Sequence, residues 1–154
     1  MTSVSNEVRA RRPHEYATLM GELQAEAGFP TFRDILLFAA AVGFRQGRRV
    51  PFVKTSGESI RLDVLMAPAF SDTLVNMIAA NVVSDDPEIM DGGRVGSRIK
   101  IFEEYANGGL EYIQEQKNVG HESLNTIVRR LVTEAFAGEK GAKQLDNLLS
   151  SPGW

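Results

Sequence analysis

The amino-acid sequence predicts a mainly α fold with a minor β component, a compact multi-helix domain around a buried central helix at 32–46. Three observations carry that expectation. The ten-residue apolar run from Ile35 to Phe44 falls short of the about 20 helical residues that cross a bilayer, and is too apolar for a surface. Apolar stripes with helical spacing recur along the chain, and two of them stop at Gly28 and Gly47, where a left-handed cap favours glycine. Alternation of apolar and polar residues, the mark of a strand, is confined to short stretches.

In chain order, Asn6 to Arg12 sets Val8 and Ala10 against Arg9 and Arg11, a period of two that fits a short strand or an extended arm. Pro13 suits the first position of a helix. Tyr16, Leu19, Met20, Leu23 and Ala27 then share one stripe that Gly28 ends. Thr31 and Asp34 have capping-box spacing, so the central helix starts at about Phe32 and stops at Gly47. Arg48 to Val53 reads as extended and Glu58 to Leu65 as a second strand, giving a short strand pair near 50–65. Ser71 and Asp72 offer N-caps to a helix carrying Leu74, Val75, Ile78, Ala79 and Val82, which Ser84 to Pro87 breaks. Phe102, Ala106, Leu110 and Ile113 keep helical spacing across Gly108 and Gly109, as one kinked helix or two abutting ones. Leu124, Ile127, Val128, Leu131, Val132 and Phe136 form the cleanest stripe, and Leu145, Leu148 and Leu149 suggest a short last helix. The expected organisation is one domain over 1–154, with a helical remainder at 69–149 and a frayed tail at 150–154.

Composition narrows the functional classes. The chain has no cysteine, which removes disulfides, thiolate metal sites and cysteine nucleophiles and fits a reducing compartment. The first twenty residues have arginines but no apolar core of a signal peptide, so a cytoplasmic location with no membrane is expected. The two histidines, His14 and His121, lie in unrelated segments and read as surface or capping residues. No HExxH, P-loop or GxSxG motif occurs, and the expectation is a protein that is not an enzyme and takes no cofactor. Asp85, Asp86, Glu88 and Asp91 lack the spacing of a calcium loop and read as a solvated turn; a metal-dependent nuclease built on scattered carboxylates is the remote alternative. Glu103 and Glu104 read as helix-surface charges, with Lys100 placed to pair with Glu104. Residues 1–61 carry a net charge of +3 and residues 62–154 one of −6, so a basic front half could face phosphates and an acidic back half a protein partner.

The order strand, glycine-ended helix, tight link and Thr31-capped helix over 6–47 matches a ribbon-helix-helix-like unit. In such a unit two chains pair their strands and the ribbon enters the major groove, which would require a homodimer. Arg9, Arg11 and Arg12 would face DNA, since Arg reads guanine in a bidentate manner; the next helix would aim its free N–H groups, with Thr31 and Phe32, at a phosphate, and Arg33 joins the expected DNA-binding set. Arg45, Arg48 and Arg49 would extend the patch, or else complement the dipole at the end of the central helix. An ordinary helical hairpin behind a charged arm explains the same residues. Asn107, Gly108 and Gly109 either let another backbone approach closely or line a contact with DNA or a partner subunit.

Two blocks, Thr31 to Pro51 and Ile99 to Ile113, with Asp86 to Ile89 before the second and Val8 to Pro13 at the front, resemble a known family. It is the small DNA phosphorothioation-associated, or Dnd system-associated, protein of the fourth type, and the run from Phe102 to Leu110 is its most specific string. The resemblance covers about residues 8–115 and fades after Lys117. It implies an accessory part in a bacterial system that replaces a DNA phosphate oxygen by sulfur and restricts unmarked DNA as an anti-phage defence. The implied partners are DNA and other phosphorothioation-system proteins. The family offers no catalytic residue or cofactor to carry over. The rival reading is a helical protein-protein adaptor or regulator that never touches DNA.

Overall fold

The computed structural model describes residues 8–136. In chain order they form strand β1 (Arg9–Ala10), a 3-10 turn (His14–Tyr16), helices α1 (Ala17–Ala27) and α2 (Phe32–Gln46), strand β2 (Ile60–Arg61), and helices α3 (Leu62–Leu65) and α4 (Ala69–Val82). Two 3-10 turns, Pro87–Met90 and Gly92–Arg94, then lead to helices α5 (Val95–Gly120) and α6 (Leu124–Phe136). The fold is mainly α with a minor β component, as the sequence predicts. The expected helix at Leu145 to Leu149 and the tail at 150–154 lie outside the described residues.

Local chemistry accounts for the central hairpin. Gly28 takes a left-handed φ of 78° and ends α1, and the chain turns through 103° between the segments His14–Ala27 and Phe32–Gln46. Thr31 caps α2 by accepting the Asp34 N–H, while its own hydroxyl donates to the Asp34 carboxylate at 2.7 Å. Gly47, at φ 68°, closes the helix. Ile35, Leu36, Leu37, Ala39, Ala40, Val42 and Gly43 are all buried, so α2 is covered on several sides.

Its principal neighbour is α5, a single unbroken helix of 26 residues. Neither a break nor a pair of abutting helices occurs at Gly108 and Gly109. Interior glycines cost about 1 kcal/mol each relative to alanine in an isolated helix; here they permit contact between two main chains. A Cβ on Gly109 would fall on the Ala39 carbonyl, one on Gly43 would fall on the Tyr105 carbonyl and lie 2.9 Å from the Gly109 nitrogen, and one on Gly108 would strike the Arg48 carbonyl. Phe102, Ala106, Leu110 and Ile113 are fully buried along the same seam. Outside it, α4 packs on α5 and buries its Val75, Ile78 and Ala79, and α6 packs on α1 and buries its Leu124, Ile127 and Leu131. Among the described residues no single helix is long and apolar enough to cross a membrane.

The structure corrects four local expectations. Pro13 is extended (φ −67°, ψ 133°) and precedes a 3-10 turn, so the first α-helix begins at Ala17. The strand expected over Glu58 to Leu65 shrinks to Ile60–Arg61, because Leu62–Leu65 closes a helical turn that buries Leu65. Its partner is the front of the chain: β1 and β2 pair antiparallel with Arg9 opposite Arg61 and Ala10 opposite Ile60. Finally, Ser71 and Asp72 lie inside α4 and do not cap it; Pro68 precedes the helix, Ser71 is buried, and Asp72 accepts from the Asn76 amide.

Candidate nucleic-acid interface

Two extended segments of the same chain, 9–14 and 54–61, make a ribbon along one edge of the helical core. Beyond the β1–β2 pair, the Ser56 N–H donates to the Arg12 carbonyl and the His14 N–H to the Lys54 carbonyl, both at 2.9 Å, and Pro13 bridges Thr55. The ribbon is therefore completed within one chain, whereas a ribbon-helix-helix protein completes it between two.

Arginines collect at its outer end. Arg9 and Arg61 are exposed and directly opposed, an unfavourable placement for like charges that neighbouring acceptors relieve. Arg9 Nη1 donates to the Ser59 carbonyl at 3.2 Å, and Arg61 pairs with Asp63 at 2.7 Å. Arg12 donates from Nε to the Glu58 carbonyl, and its guanidinium lies 4.4 Å from the Phe32 ring centre, a cation–π contact. Gly57, at φ 64°, leaves the space the Arg12 guanidinium fills. Arg33 donates to the Val64 carbonyl and pairs with Asp34. Arg9, Arg12, Phe32, Arg61 and Val64 thus border a shallow concavity of about 350 Å³.

The other arginines singled out in the sequence have partners on the helices: Arg11 and Arg49 reach buried carboxylates, whereas Arg48 and Arg45 bond at the surface. Arg11 gives both its backbone N–H (2.7 Å) and its Nε (2.9 Å) to one oxygen of Glu103, and lies 5.1 Å from the Phe52 ring centre. Arg49 pairs with Glu104 at 2.8 Å. Arg48 bridges Glu111 and Glu115 at 3.0 and 2.8 Å, and Arg45 donates to the Glu134 carbonyl. Glu103 and Glu104 are accordingly buried, at 4% and 7% exposure. The surface role expected of them, with Lys100 as partner, is corrected: helix α5 is enclosed on this side, and the carboxylates receive cations from the segments crossing over it. Burial pushes the Glu103 carboxyl above its usual range, against the opposing pull of Arg11. Arg48 holds the Glu115 carboxyl below that range.

The start of α2 is occupied by Asp34, which takes the place the sequence suggested for a phosphate near Thr31. Asn107, Gly108 and Gly109 are buried, the glycines against Ala39 and Arg48, and the Asn107 amide donates to the Val50 carbonyl at 3.0 Å. His14 is exposed, and His121 caps α5 in a left-handed conformation, φ 55°. In the acidic loop Asp86 accepts the Glu88 N–H and pairs with Arg94 at 3.4 Å. Among the described residues no three histidine, aspartate or glutamate side chains converge as metal ligands would. Sequence reasoning missed Lys54 and Arg61 as ribbon cations. Arg61 was legible as the outward residue between Ile60 and Leu62, but its pairing with Arg9 spans fifty-two positions and leaves no local signal.

These features define a small helical protein that carries an arginine-edged ribbon on a helical core whose buried glutamates are met by half-exposed arginines. The family model for DNA sulphur modification system-associated protein 4 matches residues 9–148, and the chain belongs to that family. The match reaches well past Lys117, where the resemblance in the sequence faded, so α6 and the residues after it as far as 148 fall within the family's shared chain. The family's description places the protein in association with a DNA sulphur modification system. No curated protein and no solved structure matches the chain at a significant level.

Proposed function

We propose that the protein is a non-catalytic accessory component of a DNA phosphorothioation system and that it contacts nucleic acid through the ribbon edge formed by Arg9, Arg12, Arg33 and Arg61. The observation that carries this reading is the direct opposition of Arg9 and Arg61 beside Arg12. Like charges gathered on an exposed edge are costly alone and favourable against phosphate, and Arg presents the fork that phosphate accepts. Arg11, Arg48 and Arg49 are assigned to the fold, because each already serves a glutamate of α5. The test is fluorescence anisotropy with short DNA at several salt concentrations. Binding should weaken with salt, and replacing Arg9, Arg12 and Arg61 by Ala should lower both affinity and the salt slope; a DNA affinity indifferent to that triple change sinks the reading.

A second reading, docking onto a larger system subunit, is favoured by one feature. Phe29, Leu37, Phe38, Ala41, Phe70 and Leu74 line an apolar groove of about 380 Å³ between α2 and α4, and Phe70 is 58% exposed. Phe70→Glu should abolish nuclease-resistant co-purification with neighbouring system proteins if that groove is the docking face.

A further inference from the structure

At the inner end of the ribbon lies a pocket of about 380 Å³ that the phosphate-contact reading leaves unused. Pro13 and Phe52 contribute apolar walls, the exposed His14, Glu15 and Lys54 stand around it, and the buried Asn107 of α5 is among the residues that line it. Asn107 is 2% exposed, and its Oδ1 is buried without a hydrogen-bond partner. The amide cannot remove the deficit by flipping, because its Nδ2 donates to the Val50 carbonyl and a flip would set oxygen against oxygen. Buried acceptors are seldom left unmatched, and the exceptions call for an explanation.

We infer that this pocket receives an unstacked nucleobase of a single strand whose backbone runs along the arginine edge. Three properties select that ligand. Asn107 brings to the lining an acceptor without a partner, and every common base carries an N–H donor on its pairing edge. The apolar walls and the volume suit a flat heteroaromatic ring with room for its sugar. Lys54 and His14 stand where the attached phosphate would emerge, and the same ribbon leads from them to Arg9 and Arg61. A base can reach a buried amide only after leaving its stack, which favours single-stranded over duplex DNA. An acidic peptide would meet the lysine but would bring no ring for the walls.

The inference rests on the nucleic-acid reading above, and one experiment separates their failures. The full chain is titrated with a labelled single strand of about eight nucleotides and with the same strand made entirely of abasic residues. Base-bearing DNA should bind roughly tenfold or more tightly, and in wild-type protein it should shift the NMR signals of the Asn107 side-chain amide and the His14 ring, which abasic DNA leaves in place. Asn107→Leu should abolish the preference and retain abasic binding; the wild-type NMR readout decides the matter should that variant fail to fold. Equal affinity for both strands, with shifts confined to the arginine edge, overturns the base pocket and spares the ribbon. Absence of binding to either strand overturns both, and displacement of the base-bearing strand by an aspartate-rich peptide as readily as by unlabelled DNA overturns the choice of ligand.

Discussion

The α2–α5 seam and the ribbon both bring distant parts of the chain together, by opposite means. At the seam, Gly43 and Gly109 bring no side chain, so that main chain meets main chain at the Tyr105 and Ala39 carbonyls. At the ribbon, few backbone bonds join the segments, and long side chains do the rest: Arg9 and Arg12 reach carbonyls, and Arg11 reaches a buried carboxylate. The seam has no tolerance for added atoms. Arg9 and Arg61 at the ribbon's outer end, in contrast, are exposed and stand where their loss leaves no hole. One region should answer substitution with stability, the other with binding.

The largest expected effect lies at the seam. Gly109→Val forces atoms into the Ala39 carbonyl, a backbone group that cannot swing aside, and should destabilise the protein by about 3 kcal/mol or more in urea unfolding. Gly21, in the middle of α1 with open space where a methyl group would point, is the internal control: Gly21→Ala should stabilise by about 0.5–1 kcal/mol. If both changes are neutral, the two main chains do not touch.

An intermediate effect is expected where the two regions meet. Arg11→Ala leaves the Glu103 carboxylate buried without its cation and should cost about 1–2 kcal/mol at neutral pH, a modest figure for a buried pair because Arg11 keeps 40% of its side chain exposed. The pH dependence has a definite sign. Since burial raises the Glu103 carboxyl in the folded protein, the stabilisation from its protonation is fully present below the ordinary carboxylate value and is lost as pH rises through the raised one. Removing Arg11 raises that value further, so the variant's deficit should shrink as the solution is acidified toward the ordinary range. A deficit that grows on acidification would show that the carboxylate is not what Arg11 supports.

The smallest stability effect belongs to the ribbon edge. Arg9→Ala and Arg61→Ala should each stay within about 0.5 kcal/mol of wild type in thermal unfolding, because both are exposed and neither holds a buried partner. A larger loss would mark them as structural and weaken the case that they are kept for a ligand.

Much of the fold was legible because its signals are local. Gly28, Thr31 and Gly47 fix the ends of α1 and α2 through chemistry contained within four residues, and all three act as their spacing implies. The stripe from Phe102 to Ile113 likewise indicated the buried face of α5. The carboxylates of that helix were misjudged because a glutamate beside a lysine looks the same whether its helix is open or enclosed; only Arg11 and Arg49, brought in from far along the chain, distinguish the cases. The candidate interface was half legible for the same reason. Arg9 and Arg12 stood out as a basic cluster, whereas the contributions of Arg61, Lys54 and the Asn107 pocket depend on a strand pairing and a crossing that no short window contains.

The double attachment of Arg11 to a single oxygen of Glu103 fixes more than one contact. Because main-chain amide and side chain end on the same atom, sliding the front strand by one residue would turn both donors away together and strand an anion inside the protein. The glutamate therefore works as a register pin: it dictates which residues of the arm point outward, and so sets the arginine pattern that any approaching molecule would meet.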